Sequence, residues 1–411
     1  MLTSAETAKE AKAQAIRTGT VYSILFAVSA VHMLNDSMQS VVSALFPVLE
    51  ESLHLNFTQV GWIAFTLNMT SSVMQPAVGL ISDKRPSPWM LPVGMSMSML
   101  GMAGLGFAPS FMLLILAVVF VGLGSAVFHP EGSRVVYFAA GGRRGLAQSI
   151  YQVGGNFGQS LAPLMTMFIF LPLGQRGAVW GTILAALAIA ISLKVMPWYA
   201  SQLAEHGKPV KRKPPAGVTF PAQTKERRTI AFALGLLILI VFARSWYGAA
   251  IGTFYQFYTM DVYGLSKQAA QIPLFLFMAA GVAGTFFGGM MADRLGRKNM
   301  MFYSIAGSAP FALLLPHLPL VWMYPLIVVL GFILQSGFSV SVVYAQELLP
   351  GNVGMASGLI TGLAFGMGAL GAVILGKAAD VYGLTDVMVW CSVLPLLGVL
   401  AILLPSDRRQ R

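Results

Sequence analysis

A single arginine, Arg244, lies near the middle of a long apolar stretch at residues 230–258. A guanidinium stays charged and presents a rigid fork of N–H groups, which fits phosphate, phosphonate or carboxylate groups through paired hydrogen bonds. Tyr247 and Tyr255 follow on or near the same helical face. The pattern predicts that all three bind a small anionic molecule, with a structural Arg–Asp ion pair as the alternative for Arg244.

The acidic partner for such a pair stands in the first apolar stretch, residues 21–46. His32, Asp36 and Gln39 recur there with helical spacing and therefore share one face. Charged groups at membrane depth cost at least about 2.5–3.5 kcal/mol each, so they are usually functional. We expect this face to bind substrate in a cavity, and Asp36 also to carry a proton; a helix–helix hydrogen bond is the alternative.

Further amides extend the candidate site onto other helices. Gln152 and Asn156 belong to one stripe in the stretch 146–171, and Gln75 has similarly spaced polar neighbours in the stretch 58–80. We predict that these three side chains contact substrate.

Two titratable residues flank Pro130 in the stretch 112–137. His129 and Glu131 are two positions apart, so on a helix they face different directions and form a poor acid–base pair. Both are candidates for proton coupling. For Glu131 the sequence leaves two roles open, a proton carrier or a strut paired with Arg134.

The composition shows what must surround these residues. Of 411 residues, 56% are hydrophobic and only 10% are charged, whereas soluble proteins carry about 25% charged residues. Lipid must therefore be the solvent for much of the chain.

The single cysteine and the histidine spacing indicate no metal site or other cofactor. The sequence has no phosphate-binding loop and no nucleophile elbow, so we expect neither ATP hydrolysis nor an enzyme.

A membrane span needs roughly 20 apolar residues, and we predict an all-α transmembrane fold with twelve spans. The predicted spans are 21–46, 58–80, 89–108, 112–137, 146–171, 177–198, 230–258, 269–291, 300–316, 320–346, 353–376 and 385–404. They give six-helix bundles at 21–198 and 230–404, joined by a cytoplasmic loop at 199–229. Residues 1–20 and 405–411 are the predicted cytoplasmic termini.

The net charge of +11 is distributed as the positive-inside rule describes. Most Lys and Arg residues fall in the termini, the 199–229 loop and every second short loop, while the other loops hold Arg176, Lys267 and Lys377. Both termini are therefore expected in the cytoplasm of a bacterial cell, with the chain in the inner membrane. Basic residues placed in this way indicate contact with lipid and not with nucleic acid. We expect a monomer.

The two halves repeat a motif in their inner loops. Gly289-Met290-Met291-Ala292-Asp293-Arg294-Leu295-Gly296-Arg297-Lys298 matches Gly79-Leu80-Ile81-Ser82-Asp83-Lys84-Arg85 in the first half. The repeat predicts two bundles facing each other across a central cavity. The shared glycines and aspartates and the basic residues of the second copy are predicted to form a gate. Glu347 is the predicted partner of Arg297 or Arg294.

The second motif resembles the signature loop of the major facilitator superfamily. The strings His32-Met33-Leu34-Asn35-Asp36, Phe128-His129-Pro130-Glu131, Gly145-Leu146-Ala147-Gln148-Ser149, Gln152-Val153-Gly154-Gly155-Asn156-Phe157-Gly158 and Tyr344-Ala345-Gln346-Glu347-Leu348-Leu349-Pro350-Gly351 resemble a narrower family. Its members are proton-driven efflux transporters that export the phosphonate antibiotic fosmidomycin. The resemblance implies an antiporter that exchanges protons for a small anion and confers resistance. The residues themselves leave open an uptake symporter for a small anionic nutrient.

Overall fold

The computed structural model describes residues 19–84, 86–141, 144–206, 224–349 and 353–405. Most of the predicted cytoplasmic termini and much of the predicted central loop lie outside these ranges. The helix that precedes the loop continues to His206, and the helix that follows it begins at Thr224. Helix therefore occupies both ends of the range 199–229 that the sequence assigns to a loop.

The N-terminal half is helical over each predicted span within the described ranges. Its α-helices are α1 (Tyr22–Ala44), α2 (Phe46–Leu53), α3 (Phe57–Asn68), α4 (Gln75–Lys84), α5 (Met90–Phe107), α6 (Phe111–Ala139), α7 (Arg144–Met165) and α8 (Gly181–His206). Short π-helical turns at Met69–Val73 and Thr166–Phe170 and a 3₁₀ segment at Leu171–Trp180 connect some of them.

The C-terminal half repeats this plan. Its α-helices are α9 (Thr224–Ala249), α10 (Tyr255–Tyr263), α11 (Gln271–Leu295), α12 (Arg297–Ile305), α13 (Ala309–Leu314), α14 (Leu320–Ser336), α15 (Phe338–Leu348), α16 (Val353–Tyr382) and α17 (Leu384–Ser392). A π-helical turn at Ala250–Phe254 joins α9 to α10, and 3₁₀ segments occupy Leu315–His317 and Leu394–Leu403.

The described residues contain eight helical stretches that are long and apolar enough to cross a membrane, and the protein is a multi-pass membrane protein. The first predicted span is not among the eight. Its helix α1 carries His32, Asn35, Asp36 and Gln39, and these polar side chains lower its hydropathy. The same residues that make α1 a functional candidate thus weaken its signal as a membrane span.

Helix pairs pack mainly within each half, and the most extensive packing between the halves is made by two pairs of α-helices. These are α3 with α16 and α7 with α11. Glycines allow the first pair to approach closely: a Cβ at Gly61 would lie 2.4 Å from the carbonyl oxygen of Ala372, and one at Gly376 would lie 2.3 Å from that of Phe57. Membrane helices commonly use small residues in this way to bring their backbones together.

The halves are joined by hydrogen bonds at one end of the molecule, which we call the latched end. There Gln256 donates to the carbonyl of Ser43 at 2.7 Å, and Gln271 donates to that of Ala44 at 3.0 Å. Lys267 pairs with Glu51 across the same interface. Among the hydrogen bonds between described residues, those that cross from one half to the other all lie at this end, where Asp380 also contacts the start of α3.

Candidate functional site

Three titratable side chains meet inside the N-terminal half and form what we call the imidazole–carboxylate cluster: His32 and Asp36 of α1 and His129 of α6. The Nε2 atom of His32 lies 3.4 Å from Oδ2 of Asp36, and the Nε2 atom of His129 lies 3.4 Å from Oδ1. Helical spacing predicted the first contact. The second could not be read from the sequence because His129 belongs to another helix.

The backbone fixes the orientation of both imidazoles. Nδ1 of His32 lies 2.8 Å from the carbonyl oxygen of Tyr151, and Nδ1 of His129 lies 2.9 Å from that of Ser125. A carbonyl oxygen can only accept a hydrogen bond, so each Nδ1 carries a hydrogen. Each Nε2 therefore faces Asp36 with a lone pair when its ring is neutral.

Amides and hydroxyls surround the cluster. Asn35 donates to Asp36 Oδ1 at 3.0 Å, and Gln159 of α7 donates to Oδ2 at 2.7 Å. Ser125 accepts from Asn35 at 3.2 Å and donates to the side-chain oxygen of Gln39 at 2.8 Å. The network holds the Asp36 carboxylate from both sides and links α1 to α6 and α7. The position of Ser125 within an apolar stretch gave no signal of this role.

The cluster is more deeply buried than the cavity prediction for α1 implied. His32 is 2% exposed and Asp36 is 4% exposed. The His32 ring stacks on the Tyr151 ring with centroids 4.0 Å apart. His32 thus takes the alternative role of a helix–helix hydrogen bond to the α7 backbone. The side chain of His129, at 22% exposure, is the accessible member of the cluster.

Arg244 on α9 is buried in the C-terminal half, at 5% exposure. Its guanidinium carbon lies 4.4 Å from the centroid of the Phe338 ring of α15, within the range of a cation–π interaction. The Nε and Nη1 atoms are buried and have no hydrogen-bond partner among the described residues. The alternative ion pair between Arg244 and Asp36 is not observed among the described residues. Asp36 contacts the two imidazoles instead.

The two tyrosines predicted beside Arg244 are also buried, each at 1% exposure. Tyr247 belongs to the main apolar core. The Tyr255 ring stacks near Tyr258 with centroids 5.6 Å apart, and its hydroxyl has no hydrogen-bond partner among the described residues. The Tyr255 hydroxyl is therefore available to a ligand.

The predicted amides divide into two groups. Gln152 and Asn156 contact each other at 3.4 Å on α7, and among the described residues no contact joins either of them to the cluster. Gln75 donates to the carbonyl of Ser71 at 2.7 Å, within the π-helical turn of Met69–Val73. Gln39 donates to the hydroxyl of Ser71 at 3.0 Å, so Ser71 links these two predicted residues.

Glu131 lies in a separate network and is fully buried. Arg134 donates to its Oε1 at 2.9 Å, and the hydroxyls of Ser82 and Tyr199 also donate to the carboxylate. Glu131 and His129 face different directions, as their spacing predicted. The network ties α6 to α4 and α8, which is the strut arrangement that the sequence left open for Glu131.

The repeated loop motif is partly described. Gly296 separates α11 from α12 with φ 88°, a conformation that favours glycine. A Cβ at Gly79 would be in ordinary contact with Pro130, whereas a Cβ at Gly289 would meet no atom of the described residues within 4 Å, so no close helix approach is observed at Gly289.

The side chains of Asp83 and Asp293 lie outside the described part. Arg297 Nε contacts Glu347 Oε1 at 3.0 Å, as predicted. Arg294 is exposed and Lys298 is half-buried.

Apolar helices with buried ionisable groups in each half are typical of a membrane transporter. The profile of the Major Facilitator Superfamily matches residues 25–372. The chain belongs to this superfamily.

Two relatives cover almost the whole chain. An uncharacterized transporter of the superfamily, YfnC of Bacillus subtilis (strain 168), is 53% identical and aligns over 95% of each chain. The fosmidomycin resistance protein of Escherichia coli (strain K12) is 46% identical and aligns over 97% of each chain.

Solved structures share the fold at low sequence identity. A bacterial homologue of the human lysosomal transporter Spinster, solved in an inward-facing and unoccupied conformation, superposes with a TM-score of 0.75. It is 16% identical and covers 93% of this chain and 96% of its own. The nucleoside transporter NupG gives a TM-score of 0.73 at 15% identity and covers 93% of this chain and 98% of its own.

Proposed function

We propose that the protein is a proton-coupled antiporter that exports fosmidomycin or related small phosphonate anions and thereby confers resistance. The observation that carries the proposal is Arg244, whose buried guanidinium has two nitrogen atoms without a hydrogen-bond partner in the described chain. A charged group is costly to bury without such partners. A phosphonate supplies both the counter-charge and paired acceptors for the guanidinium fork. The relative at 46% identity, named for fosmidomycin resistance, supports the choice of anion.

The site proposed for the anion extends from Arg244 to residues of both halves. Tyr255 offers a hydroxyl without a partner in the described chain, and we assign supporting contacts to the predicted residues whose side chains are half-buried or exposed. These residues are Gln39, Gln75, Gln152 and Asn156. The buried residues His32, Asp36 and Tyr247 are assigned no direct contact with the anion in this state.

For the coupling proton we favour Asp36 with His129 over Glu131. The Asp36 carboxylate contacts two imidazoles that can exchange protons with it. Glu131 is held by Arg134, Ser82 and Tyr199, which suits a strut better than a proton carrier. Exchange of a proton for the anion would then follow the rocking of the two halves.

The latched end supports a conformational assignment within this proposal. With both termini in the cytoplasm of a bacterial cell, Ser43, Lys267 and Asp380 lie at the periplasmic side of the inner membrane. The hydrogen bonds there join the halves, so the protein is proposed to face inward and to receive its substrate from the cytoplasm. In this orientation the gate residues of the loop motif, with the Arg297–Glu347 contact, lie on the cytoplasmic side. The protein is proposed to act as a monomer.

Transport direction and coupling can be tested together. Cells that overexpress the protein should accumulate less fosmidomycin and tolerate more of it than cells with an empty vector. In everted vesicles, adding the drug should dissipate an imposed pH gradient, and Asp36→Asn should abolish this effect while the protein remains in the membrane.

Two results would change the proposal. Higher drug accumulation in the overexpressing cells would indicate an uptake symporter for an anionic nutrient. Unchanged proton flux in Asp36→Asn would move the coupling role to Glu131, and Glu131→Gln should then be inactive.

A further inference from the structure

We propose that His32, Asp36 and His129 form an inhibitory binding site for one divalent transition-metal ion of the Zn²⁺ type. Their nitrogen and oxygen atoms all lie within 4.8 Å of one another. The proposal depends on the geometry of the imidazole–carboxylate cluster and not on the identity of the transported substrate.

The separations fit an ion between the ligands better than a direct hydrogen bond. A charge-assisted N–H···O hydrogen bond is usually about 2.7–2.9 Å long, whereas both imidazole nitrogens lie 3.4 Å from the carboxylate. Zinc binds nitrogen and oxygen at about 2.0–2.2 Å with tetrahedral angles, which places neighbouring ligand atoms about 3.3–3.5 Å apart. The two imidazole–carboxylate separations, each to a different oxygen of Asp36, fall in that interval, and one ligand atom from each of the three residues lies within 4.8 Å of the others.

The tautomers also suit a metal ion. Each Nδ1–H donates to a backbone carbonyl, of Tyr151 for His32 and of Ser125 for His129, so each Nε2 lone pair faces the carboxylate. Imidazoles that bind metals almost always donate their other N–H in this way. Such a contact between imidazole and carboxylate is satisfied either by a proton on Nε2 or by a metal ion, and a metal ion would bind all three groups at once.

The surroundings resemble the outer shell of a metal site. Asn35 and Gln159 donate to the two oxygens of Asp36 and orient it. Gly155 leaves the required space, since a Cβ there would lie 2.4 Å from Cε1 and Nε2 of His32. His129 is the most exposed of the three ligands, at 22% of its side chain.

The ligand set selects the class of ion. Two imidazoles and one carboxylate suit Zn²⁺, Co²⁺ and similar ions, whereas Mg²⁺ and Ca²⁺ prefer sites made of oxygen atoms. Three protein ligands leave one tetrahedral position for water or another small ligand. Histidine spacing did not indicate this site because its third ligand comes from α6. The inhibitory effect rests on the proposed coupling role of Asp36, because a bound ion would occupy the carboxylate that carries the proton.

Binding can be measured on the purified protein without any transport assay. The full chain is prepared with an affinity tag that lacks histidine, stripped of metal with a chelator and titrated with Zn²⁺ by calorimetry. Wild type should bind one ion per chain, and His129→Gln should lose at least about tenfold in affinity. His54→Asn is the matched control, because His54 is exposed and its positive φ is tolerated by asparagine; it should bind as wild type does.

A second measurement on the wild-type protein avoids any folding defect of the variant. Co²⁺ should give the intense visible absorption of a tetrahedral site, and Zn²⁺ should displace it. Absence of this absorption in wild type, unchanged Zn²⁺ affinity in His129→Gln, or an equal loss of affinity in His54→Asn would each overturn the proposal. A protein that binds Zn²⁺ as predicted but exports no phosphonate would refute the transport proposal alone.

Discussion

Asp380 of α16 caps the first turn of α3 through Thr58, whose backbone N–H lies 2.8 Å from Asp380 Oδ2. The neighbouring N–H of Phe57 lies 2.8 Å from Oδ1, and the Thr58 hydroxyl also donates to the carboxylate. The first N–H groups of a helix have no partner within it, and a carboxylate is favoured at this end. Because the cap comes from the other half of the protein, it exists only while the halves are together.

Removing this cap should open the latched end. Asp380 is exposed, and a cap at a helix N-terminus contributes about 0.5–2 kcal/mol, so Asp380→Ala should shift the equilibrium about twofold to thirtyfold toward the state open at that end. Spin labels at Ser52→Cys and Gln268→Cys, on opposite halves at this end, would report a longer distance.

Asp386→Ala is the control for this experiment, because Asp386 is exposed near the same end. Its distance distribution should match that of the unmodified protein. A distribution in Asp380→Ala that also matches would show that the cap does not hold the end closed.

Arg244→Lys separates anion binding from a purely structural role. Lysine keeps the charge but loses the planar fork, so fosmidomycin affinity should fall about tenfold to hundredfold, the equivalent of one hydrogen bond to a charged group. Binding to purified protein gives the affinity, and thermal unfolding in detergent checks the structure. Arg228→Lys on the same helix is the control, since Arg228 is exposed. Wild-type affinity in Arg244→Lys would exclude Arg244 as the anion site.

Gly155→Ala should disrupt the imidazole–carboxylate cluster by overpacking. The added methyl group would lie 2.4 Å from His32 and 2.9 Å from Asp36 Oδ2, and such insertions typically cost about 1–3 kcal/mol. We expect reduced thermal stability and lost proton flux. Gly235→Ala on α9, where an added Cβ meets nothing within 4 Å, should leave both measurements near wild type. Equal behaviour of the two variants would argue against tight packing at Gly155.

Glu131→Ala tests whether Glu131 acts as a structural strut paired with Arg134. Removing one partner of a buried ion pair typically costs about 3–5 kcal/mol, and Arg134 would be left beside the vacated position. The melting temperature should fall sharply, whereas Glu205→Ala, at an exposed acid of α8, should change it little. A stable Glu131→Ala protein that has lost proton flux would instead assign the coupling role to Glu131.

The membrane orientation predicted from Lys and Arg can be tested with fusions to a reporter that is active only in the periplasm. A fusion after residue 215 should be silent, and one near residue 265 should be active, because the central loop is basic and the loop around Leu265 is not. The reverse pattern would place the latched end in the cytoplasm.

The span pattern was predictable because hydrophobic runs determine where helices can cross lipid, and the family resemblance followed from local strings such as those around Gly296. The partner of Asp36 was not predictable in this way. Helical spacing placed His32 beside it, but the approach of His129 depends on how α6 packs against α1. The pairing of Glu131 with Tyr199 of α8 likewise joins residues that no local pattern connects.

The depth of burial of the polar side chains on α1 also could not be predicted from their spacing in the sequence. Polar residues on one face of α1 indicate that the face avoids lipid, but an open cavity and the interior of a bundle both satisfy that requirement. The contact of His32 with the Tyr151 backbone places this residue in the interior.

At the latched end, one half contributes side-chain donors and the other half contributes main-chain acceptors. Gln256 and Gln271 donate to the main-chain carbonyls of Ser43 and Ala44, and every amino acid carries such a carbonyl. Replacing Ser43 with alanine leaves its acceptor in place, whereas replacing Gln256 removes the donor. The residue at position 43 can therefore vary among related chains without loss of this hydrogen bond. In a mutational scan, substitutions of Ser43 on α1 should be tolerated, whereas substitutions of Gln256 on α10 should not.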